Sequence, residues 1–323
     1  MADEKILSVK DLRVHYCLHA STVEAVNGVS FDIKKGESLG LAGETGAGKT
    51  TIALSLMNLL PHPPAKVIDG EIDFKGTDIL KANKKELRSI RGNNIAMIFQ
   101  DPMTALNPVD KVGDQIMENI RLHEKISKKD AMLKACAIME KVGIPAERYN
   151  EYPHQFSGGM KQRIVIAMAL VCQPDLLIAD EPTTALDVTI QAQVLDMIDT
   201  IKKERGTSML LITHDLGIIA EMCDRVAIVY AGEIVEMGNI VQIFDHTMHP
   251  YTEGLFNAIP TLETTSDRLI PIEGAPPDPA KLPKGCKFCP RCKKKKDICE
   301  TQLPELRDMG DGHLVRCHLY DTN

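Results

Sequence analysis

The chain has little of what marks a membrane-spanning, secreted or nucleic-acid-binding protein. Its longest unbroken apolar run covers the nine residues 164–172, well short of the roughly 18–20 that cross a bilayer. The charged N-terminal segment has no apolar stretch of the kind found in a secretory signal, so we expect none. The net charge is −7, from 38 Lys and Arg against 45 Asp and Glu, which argues against a dedicated nucleic-acid binder.

The hydrophobic pattern predicts an α/β fold. Short apolar runs are typical of buried parallel strands, and they occupy residues 38–42, 95–99, 175–179 and 208–212. Alternating segments at 6–14, 29–33 and 70–75 predict an antiparallel N-terminal patch, and 226–230 with 233–236 predict a hairpin around Ala231-Gly232. Residues 110–171 lack strand patterns, which indicates an inserted helical subdomain. At 323 residues, the chain forms one large domain with insertions or two domains.

A glycine-rich loop follows the first apolar strand. The segment GETGAGKTT at 43–51 places Gly43, Gly48, Lys49 and Thr50 at P-loop spacing, between a strand and a helix. Glycines let backbone N–H groups turn towards phosphate oxygens, and the helix N-terminus adds its positive end. Lys49 suits the β- and γ-phosphates, and the Thr50 hydroxyl suits Mg²⁺.

Two acids end another apolar strand. Asp180 and Glu181 close the segment LLIADE, and ligands of parallel sheets bind at this edge. Asp180 suits Mg²⁺, directly or through water, and Glu181 suits a general base that polarises the attacking water. The pair alone is a weak signal, but together with the P-loop it indicates hydrolysis of a nucleoside triphosphate.

A third motif separates one class of P-loop protein from the rest. Ser157, Gly158 and Gly159 open an apolar helix and form a second anion-binding helix terminus. One chain does not obviously need a second phosphate cradle, whereas two chains packed face to face do. With this motif the sequence resembles the ABC-type ATPases over about residues 1–250. Its FSGGM segment departs from the family signature at Phe156 and Met160, which leaves the serine and glycines intact.

Further elements follow in the family's order. Gln100 resembles the Q-loop glutamine, which contacts Mg²⁺ and the attacking water. The ALD segment at 185–187 resembles the D-loop, in which Asp187 serves dimer communication, and His214 resembles the switch histidine. The resemblance implies catalysis by Glu181, His214 and Gln100, and Mg²⁺ at Thr50, Gln100 and Asp180. It also implies that ATP is bound by Tyr16, which stacks on adenine, and by Gly43, Thr45, Gly46, Ala47, Gly48, Lys49, Thr50, Thr51 and Gln100.

The resemblance implies a fold and an assembly as well. The fold class is α/β, with a RecA-like parallel-sheet core, an N-terminal antiparallel β subdomain, an inserted helical subdomain at about 103–171 and a small C-terminal metal-binding extension. The ATPase domain would span 1–237 and the extension 238–323. Two such ATPase subunits would sandwich ATP, with Ser157, Gly158 and Gly159 of one subunit acting in trans on the nucleotide of the other.

Three further segments narrow the family. FQDPMTALNPV at 99–109, HPYTEGLFNAIP at 249–260 and the cysteine segment at 285–317 resemble the ATPases of dipeptide and oligopeptide importers and their nickel- or sugar-carrying relatives. The resemblance implies an ATPase subunit at the cytoplasmic face of the membrane. Its expected partners are a second ATPase subunit, expected to be a paralogue, two integral membrane permease subunits and an extracytoplasmic solute-binding protein, with no nucleic acid. The sequence leaves the solute open.

The nine cysteines are unevenly placed. Cys17, Cys136, Cys172 and Cys223 stand singly and are typical of small buried hydrophobes or unreactive thiols. The other five fall within 286–317, a clustering that in an intracellular chain favours metal over disulfides. The family pattern selects Cys286, Cys292, Cys299 and Cys317 for an iron–sulfur cluster, expected as [4Fe–4S], with Cys289 as an extra or a substitute. A Cys₄ zinc site satisfies the same spacing, and Arg291 and the lysines at 293–296 could offset part of a cluster's negative charge.

Two readings from other classes compete. A soluble ABC protein of translation or DNA repair usually has two cassettes or a coiled-coil insertion, and this chain has neither. A ferredoxin-like electron carrier would need a fourth cysteine at position 296 followed by proline, and that position is Lys296.

Overall fold

The computed structural model describes residues 4–183, 186–258 and 271–321. The strands of this part of the chain are β1 (Lys5–Cys17), β2 (Thr22–Lys34), β3 (Ser38–Ala42), β4 (Ala65–Phe74), β5 (Thr77–Asp78), β6 (Ile95–Ile98), β7 (Leu176–Asp180), β8 (Ser208–Ile212), β9 (Arg225–Tyr230), β10 (Glu233–Asn239), β11 (Arg307–Asp308) and β12 (Leu314–Val315). The α-helices are α1 (Lys49–Leu56), α2 (Lys84–Ile90), α3 (Pro102–Ala105), α4 (Val112–His123), α5 (Lys128–Lys141), α6 (Gly158–Leu170), α7 (Val188–Arg205), α8 (Leu216–Met222), α9 (Ile240–Asp245), α10 (Pro250–Asn257) and α11 (Ile298–Thr301).

The chain divides into two compact units, each assembled from three segments. The first unit comprises 1–7, 33–38 and 74–212, and the second comprises 8–32, 39–73 and 213–323. The predicted boundary after residue 237 remains a prediction, because the two units are defined by internal contacts and not by independent folding.

In the first unit, β6, β7 and β8 form parallel pairs, with β7 in the middle. Every residue of these three strands is buried, as expected of parallel strands covered on both faces. Helices α4, α5 and α6 lie in the region that was predicted to be helical. They are tied together by polar contacts such as the Asn119 Nδ2 bond to the Met168 carbonyl, at 3.2 Å. These elements agree with the predicted parallel core and helical insertion.

In the second unit, β3 pairs in parallel with β9, and β9 forms an antiparallel hairpin with β10. The hairpin turn is the predicted Ala231-Gly232 pair, whose φ angles are 48° and 78°, as a two-residue hairpin turn requires. Most of a second sheet, in the order β2-β1-β4, also lies here. Strands β1 and β2 are joined by the short turn closed by the Leu18 N–H bond to the Ser21 carbonyl, so they run antiparallel.

The cysteine-containing tail joins the sheet that contains β3, β9 and β10. Strand β12 pairs antiparallel with β10, and β11 pairs with β12. The buried carboxylate of Glu236, on β10, lies 2.8 Å from His313 Nε2, just before β12. The tail thereby extends the edge of the sheet that contains the P-loop strand β3.

Candidate functional site

The P-loop connects β3 to α1 through three glycines with positive φ. These are Gly43 (148°), Gly46 (80°) and Gly48 (103°). A Cβ on Gly43 would lie 2.1 Å from the carbonyl oxygen of Val229, and one on Gly48 would lie 2.4 Å from that of Ala25. Larger residues are therefore excluded at both positions by backbone atoms that cannot move aside.

The predicted binding residues of the loop differ in burial and in contacts. Lys49 is buried, and its Nζ donates to the carbonyl oxygens of Gly43 at 2.7 Å and Glu44 at 3.0 Å. Thr50 is exposed at the first turn of α1. The half-buried Tyr16, at the end of β1, places its hydroxyl 3.2 Å from Thr51 Oγ1. Tyr16 and the loop are therefore neighbours, as an aromatic residue stacking on the bound base would require.

The remaining predicted loop residues differ in exposure. Thr45 and Gly46 are exposed, whereas Ala47 is buried. The Ala47 carbonyl accepts the Gly232 N–H at 2.9 Å. The hairpin turn between β9 and β10 therefore holds the backbone of the loop.

In the first unit, the two predicted acids lie at the C-terminal end of β7, with Asp180 as its last residue and Glu181 directly after it. Asp180 is 2% exposed. Glu181 has φ 47° and donates its N–H to the Ile212 carbonyl at 2.8 Å. Gln100 Nε2 donates to Glu181 Oε2 at 2.8 Å. Two side chains that are 81 residues apart, both predicted to act on the attacking water, are thus in direct contact.

The signature segment and the D-loop also meet. Ser157 caps α6 by accepting the Met160 N–H, and Asp187 caps α7 by accepting the Ile190 N–H at 2.9 Å. A Cβ on Gly159 would lie 2.8 Å from Ile190 Cγ2, so the two helices approach closely at this glycine. A groove of about 560 Å³ is lined by both segments. Of the D-loop, Ala185 lies outside the described residues.

The first position of the signature segment holds a buried aromatic side chain. Phe156 is buried, with the Arg148 guanidinium 4.1 Å from its ring centroid. The departure from the family motif therefore changes packing behind the helix start and leaves the Ser157 cap in place.

His214 belongs to the second unit and is the second residue after the end of β8. Its side chain is exposed, and the next residue, Asp215, begins α8 by accepting the N–H groups of Gly217 and Ile218. A capped helix start therefore fixes the backbone next to the predicted switch histidine.

The five clustered cysteines lie in short turns of the tail. The Cys286 N–H donates to the Cys299 carbonyl at 2.9 Å, and Cys289 and Cys299 are buried. Burial raises the pKa of Cys286 to about 12, and the neighbouring Cys299 and Cys317 thiols add to this shift. Among the residues that the structure describes, no group of three or more His, Cys, Asp or Glu side chains is arranged to hold a metal ion. The metal centre remains a prediction.

The basic residues near the cysteines have other partners. Lys293, Lys294 and Lys295 pair with exposed carboxylates at the surface, so these three agree with a solvated lysine run. Arg291 forms a bidentate ion pair with Glu44 of the P-loop, at 2.7 and 3.0 Å. This pair is not predictable from the sequence, because no local pattern connects two residues 247 positions apart.

The comparisons with known proteins agree with this geometry. Residues 26–184 match the ABC transporter family, and residues 235–299 match the C-terminal region of oligopeptide/dipeptide transporters. The dimeric ATP-binding cassette MJ0796 bound to ADP and Pi is similar in fold, with a TM-score of 0.66 and 24% identity over 72% of this chain and 98% of that one. A structure of cbiO1 from Clostridium perfringens has a TM-score of 0.63 and 27% identity over 75% and 91%. The fold is that of an ABC ATPase.

Curated relatives match over nearly the whole chain. A dipeptide transport ATP-binding protein of Bacillus subtilis, DppD, is 51% identical over 98% of this chain and 96% of its own length. The oligopeptide transport ATP-binding protein OppD of Escherichia coli is 45% identical over 97% and 93%. The chain belongs to the family of ATP-binding proteins of dipeptide and oligopeptide ABC transporters. Within its described part, no helix is both long enough and apolar enough to span a bilayer.

Proposed function

We propose that this chain is the ATP-hydrolysing subunit that energises import of dipeptides or oligopeptides through a separate membrane permease. The observation that carries the proposal is the combination of a formed P-loop with the transporter-specific C-terminal region at 235–299. The names of the relatives favour peptides over the nickel and sugar solutes that the sequence left open.

The proposed roles follow from the chemistry of each group. Lys49 binds the β- and γ-phosphates, and Thr50 and Asp180 hold Mg²⁺. Glu181 polarises the attacking water as general base. The Gln100 amide, 2.8 Å from the Glu181 carboxylate, orients that carboxylate and adds a ligand near Mg²⁺. His214 completes the catalytic set as the residue that senses the γ-phosphate.

We further propose that hydrolysis takes place in a sandwich of two ATPase subunits. Ser157, Gly158 and Gly159 contribute the anion-binding helix terminus to the partner's nucleotide, and Asp187 communicates between the sites. Support comes from the groove that both segments line. The second ATPase subunit is a paralogue, and the complex includes two permease subunits and a solute-binding protein, with this chain peripheral at the cytoplasmic face.

Replacing the general base tests the ATPase assignment. Glu181→Gln should lower ATP turnover by about 100-fold or more, since general-base catalysis contributes this much, and should leave ATP binding intact. Turnover and nucleotide titrations on the full chain measure both. The matched control is Glu204→Gln, which removes an exposed carboxylate paired with Lys141 on the surface of α7. Wild-type turnover in Glu181→Gln would refute the role.

Transport identifies the solute. The full chain is co-expressed with the permease, paralogue and binding-protein genes of its own operon, and uptake of labelled dipeptide, longer peptide, nickel and sugar is compared. Uptake of peptide that is lost with Glu181→Gln supports the proposal. Uptake of nickel or sugar alone would overturn the peptide assignment and leave the ATPase assignment intact.

We also propose that the cysteine cluster holds a metal centre, with [4Fe–4S] ahead of zinc. The donor set supports this, because the Cys299 thiol contributes to the raised pKa of each of the other four cysteines, so five sulfurs lie in one neighbourhood. Cys289 is the alternative ligand. Such a centre would act structurally, by cross-linking the short turns of the tail.

Metal analysis decides the identity of this centre. Anaerobically purified protein should be brown, contain iron and sulfide and absorb near ~410 nm, as thiolate-ligated iron does. Cys292→Ser should lose the metal, while Cys136→Ser, on α5, should retain it. Colourless protein with stoichiometric zinc would overturn the iron–sulfur assignment, and wild-type protein purified without either metal would overturn both.

A further inference from the structure

The second residue of the P-loop, Glu44, forms an ion pair with the C-terminal extension. The Glu44 carboxylate accepts two bonds from Arg291, with Nη1 at 2.7 Å and Nη2 at 3.0 Å. The Arg291 side chain is only 5% exposed. Its remaining donors bond the carbonyls of Glu273 and Ile272 and the Tyr230 hydroxyl. The guanidinium is therefore fixed on every side, and Glu44 is its carboxylate partner in this structure.

The backbone of the same residue is fixed independently. The Glu44 N–H donates to the Tyr251 hydroxyl at 3.0 Å, and the Glu44 carbonyl accepts from Lys49 Nζ. Tyr251 packs against Tyr230 and Phe288, with ring centroids 4.5 and 5.4 Å away. The extension thus contacts both the main chain and the side chain of a residue inside the phosphate-binding loop.

The charge of Glu44 poses a problem for phosphate binding. A carboxylate within an anion-binding loop repels the phosphates of ATP, and this repulsion is weakly screened where the group is partly buried. Glu44 is 26% exposed as a side chain. A bidentate guanidinium is the geometry that best cancels a carboxylate.

We propose that Arg291 is a positioning residue of the ATP site, which neutralises Glu44 and holds the first turn of the P-loop open to phosphate. The inference rests on the proposed nucleotide role of the P-loop. It assigns to the C-terminal extension a direct part in ATP affinity, carried by a residue that lies one position before Cys292.

Nucleotide titrations of the full chain test the proposal through four variants. Arg291→Gln should weaken ATP affinity about tenfold, since truncating one member of a desolvated charge pair leaves the other uncompensated. Glu44→Gln should bind ATP at least as tightly as wild type. The double variant should return to within about twofold of wild type. Lys293→Gln, which removes an equal charge from a surface pair with Glu273, should match wild type.

The recovery of ATP affinity in the double variant separates charge compensation from a general loss of structure. Wild-type affinity in Arg291→Gln, or a double variant as weak as Arg291→Gln, would overturn the proposal. Weaker ATP binding by Glu44→Gln would also overturn it. This measurement does not depend on Arg291→Gln, so the test remains valid if that variant fails to fold. Melting temperature and metal content are recorded for each variant. Lys49→Ala in the same titrations checks the nucleotide site itself, so a failure of the proposed function appears there and not in the Arg291 series.

Discussion

His249, the residue that caps α10, provides a pH test of how the extension is held. It is 1% exposed, its Nδ1 accepts the Tyr251 N–H at 3.0 Å, and its own N–H donates to Glu236. Burial lowers the pKa of His249 from 6.5 to about 3, and the Arg316 charge adds to this shift. The folded protein therefore holds a neutral imidazole at any pH near neutrality.

The sign and size follow from proton linkage. Between pH 6.5 and about 3 the unfolded chain binds a proton at His249 and the folded chain does not, so stability is full above pH 6.5 and falls as the pH drops. Each pH unit in this window costs about 1.4 kcal/mol, so the free energy of unfolding at pH 5 should be about 2 kcal/mol lower than at pH 7.5 through this residue.

His249→Asn isolates that contribution. The asparagine oxygen can still cap α10, while the titrating ring is lost. Urea unfolding of both proteins at pH 7.5 and 5.0, followed by circular dichroism, gives the difference between their pH dependences. The neighbouring Glu236, Arg316 and His313 are the same in both proteins, so the comparison isolates the change at position 249. If His249→Asn loses as much stability between pH 7.5 and 5.0 as the wild type does, the reasoning is refuted.

Three other outcomes are expected from single changes. Gly43→Ala should abolish ATP binding, because its Cβ would meet a strand carbonyl at 2.1 Å; retained affinity in a nucleotide titration would contradict the loop geometry. Ser157→Ala should leave ATP affinity of the monomer unchanged but reduce ATP-driven dimerisation, seen by light scattering; weaker monomer binding would show that the serine acts in cis. Gly113→Ala should destabilise the protein by about 1–3 kcal/mol, because its Cβ would meet the Tyr149 ring at 2.1 Å; an unchanged urea midpoint would contradict this.

Features with a local pattern were predictable from the sequence. The strands β3 and β8 have the predicted ends, since each is a short apolar run bounded by polar residues. The hairpin turn was predicted at Ala231-Gly232 because glycine between two apolar runs is typical of a tight turn. The helix after the P-loop, α1, ends at Leu56. The φ of Asn58 is 50°, a left-handed conformation that ends a helix and that asparagine tolerates well.

Features that depend on distant partners could not be read in this way. Strands β11 and β12 have two residues each, too few for a periodic pattern, and they form because β10 offers an open edge. The acid pair at Asp180-Glu181 was predicted, but its contact with Gln100 required the strand order. Arg291 was assigned to the charge of the cysteine cluster, since sequence proximity was the only guide available for it.

The ion pair between Glu44 and Arg291 has a consequence for how these two positions evolve. A cassette that acquires a neutral residue at position 44 no longer needs the arginine, and an extension that loses its arginine leaves an acidic loop uncompensated. The two positions, 247 residues apart, should therefore change together among relatives. An extension transplanted from a relative without this arginine should impair ATP binding by this cassette unless residue 44 is exchanged with it.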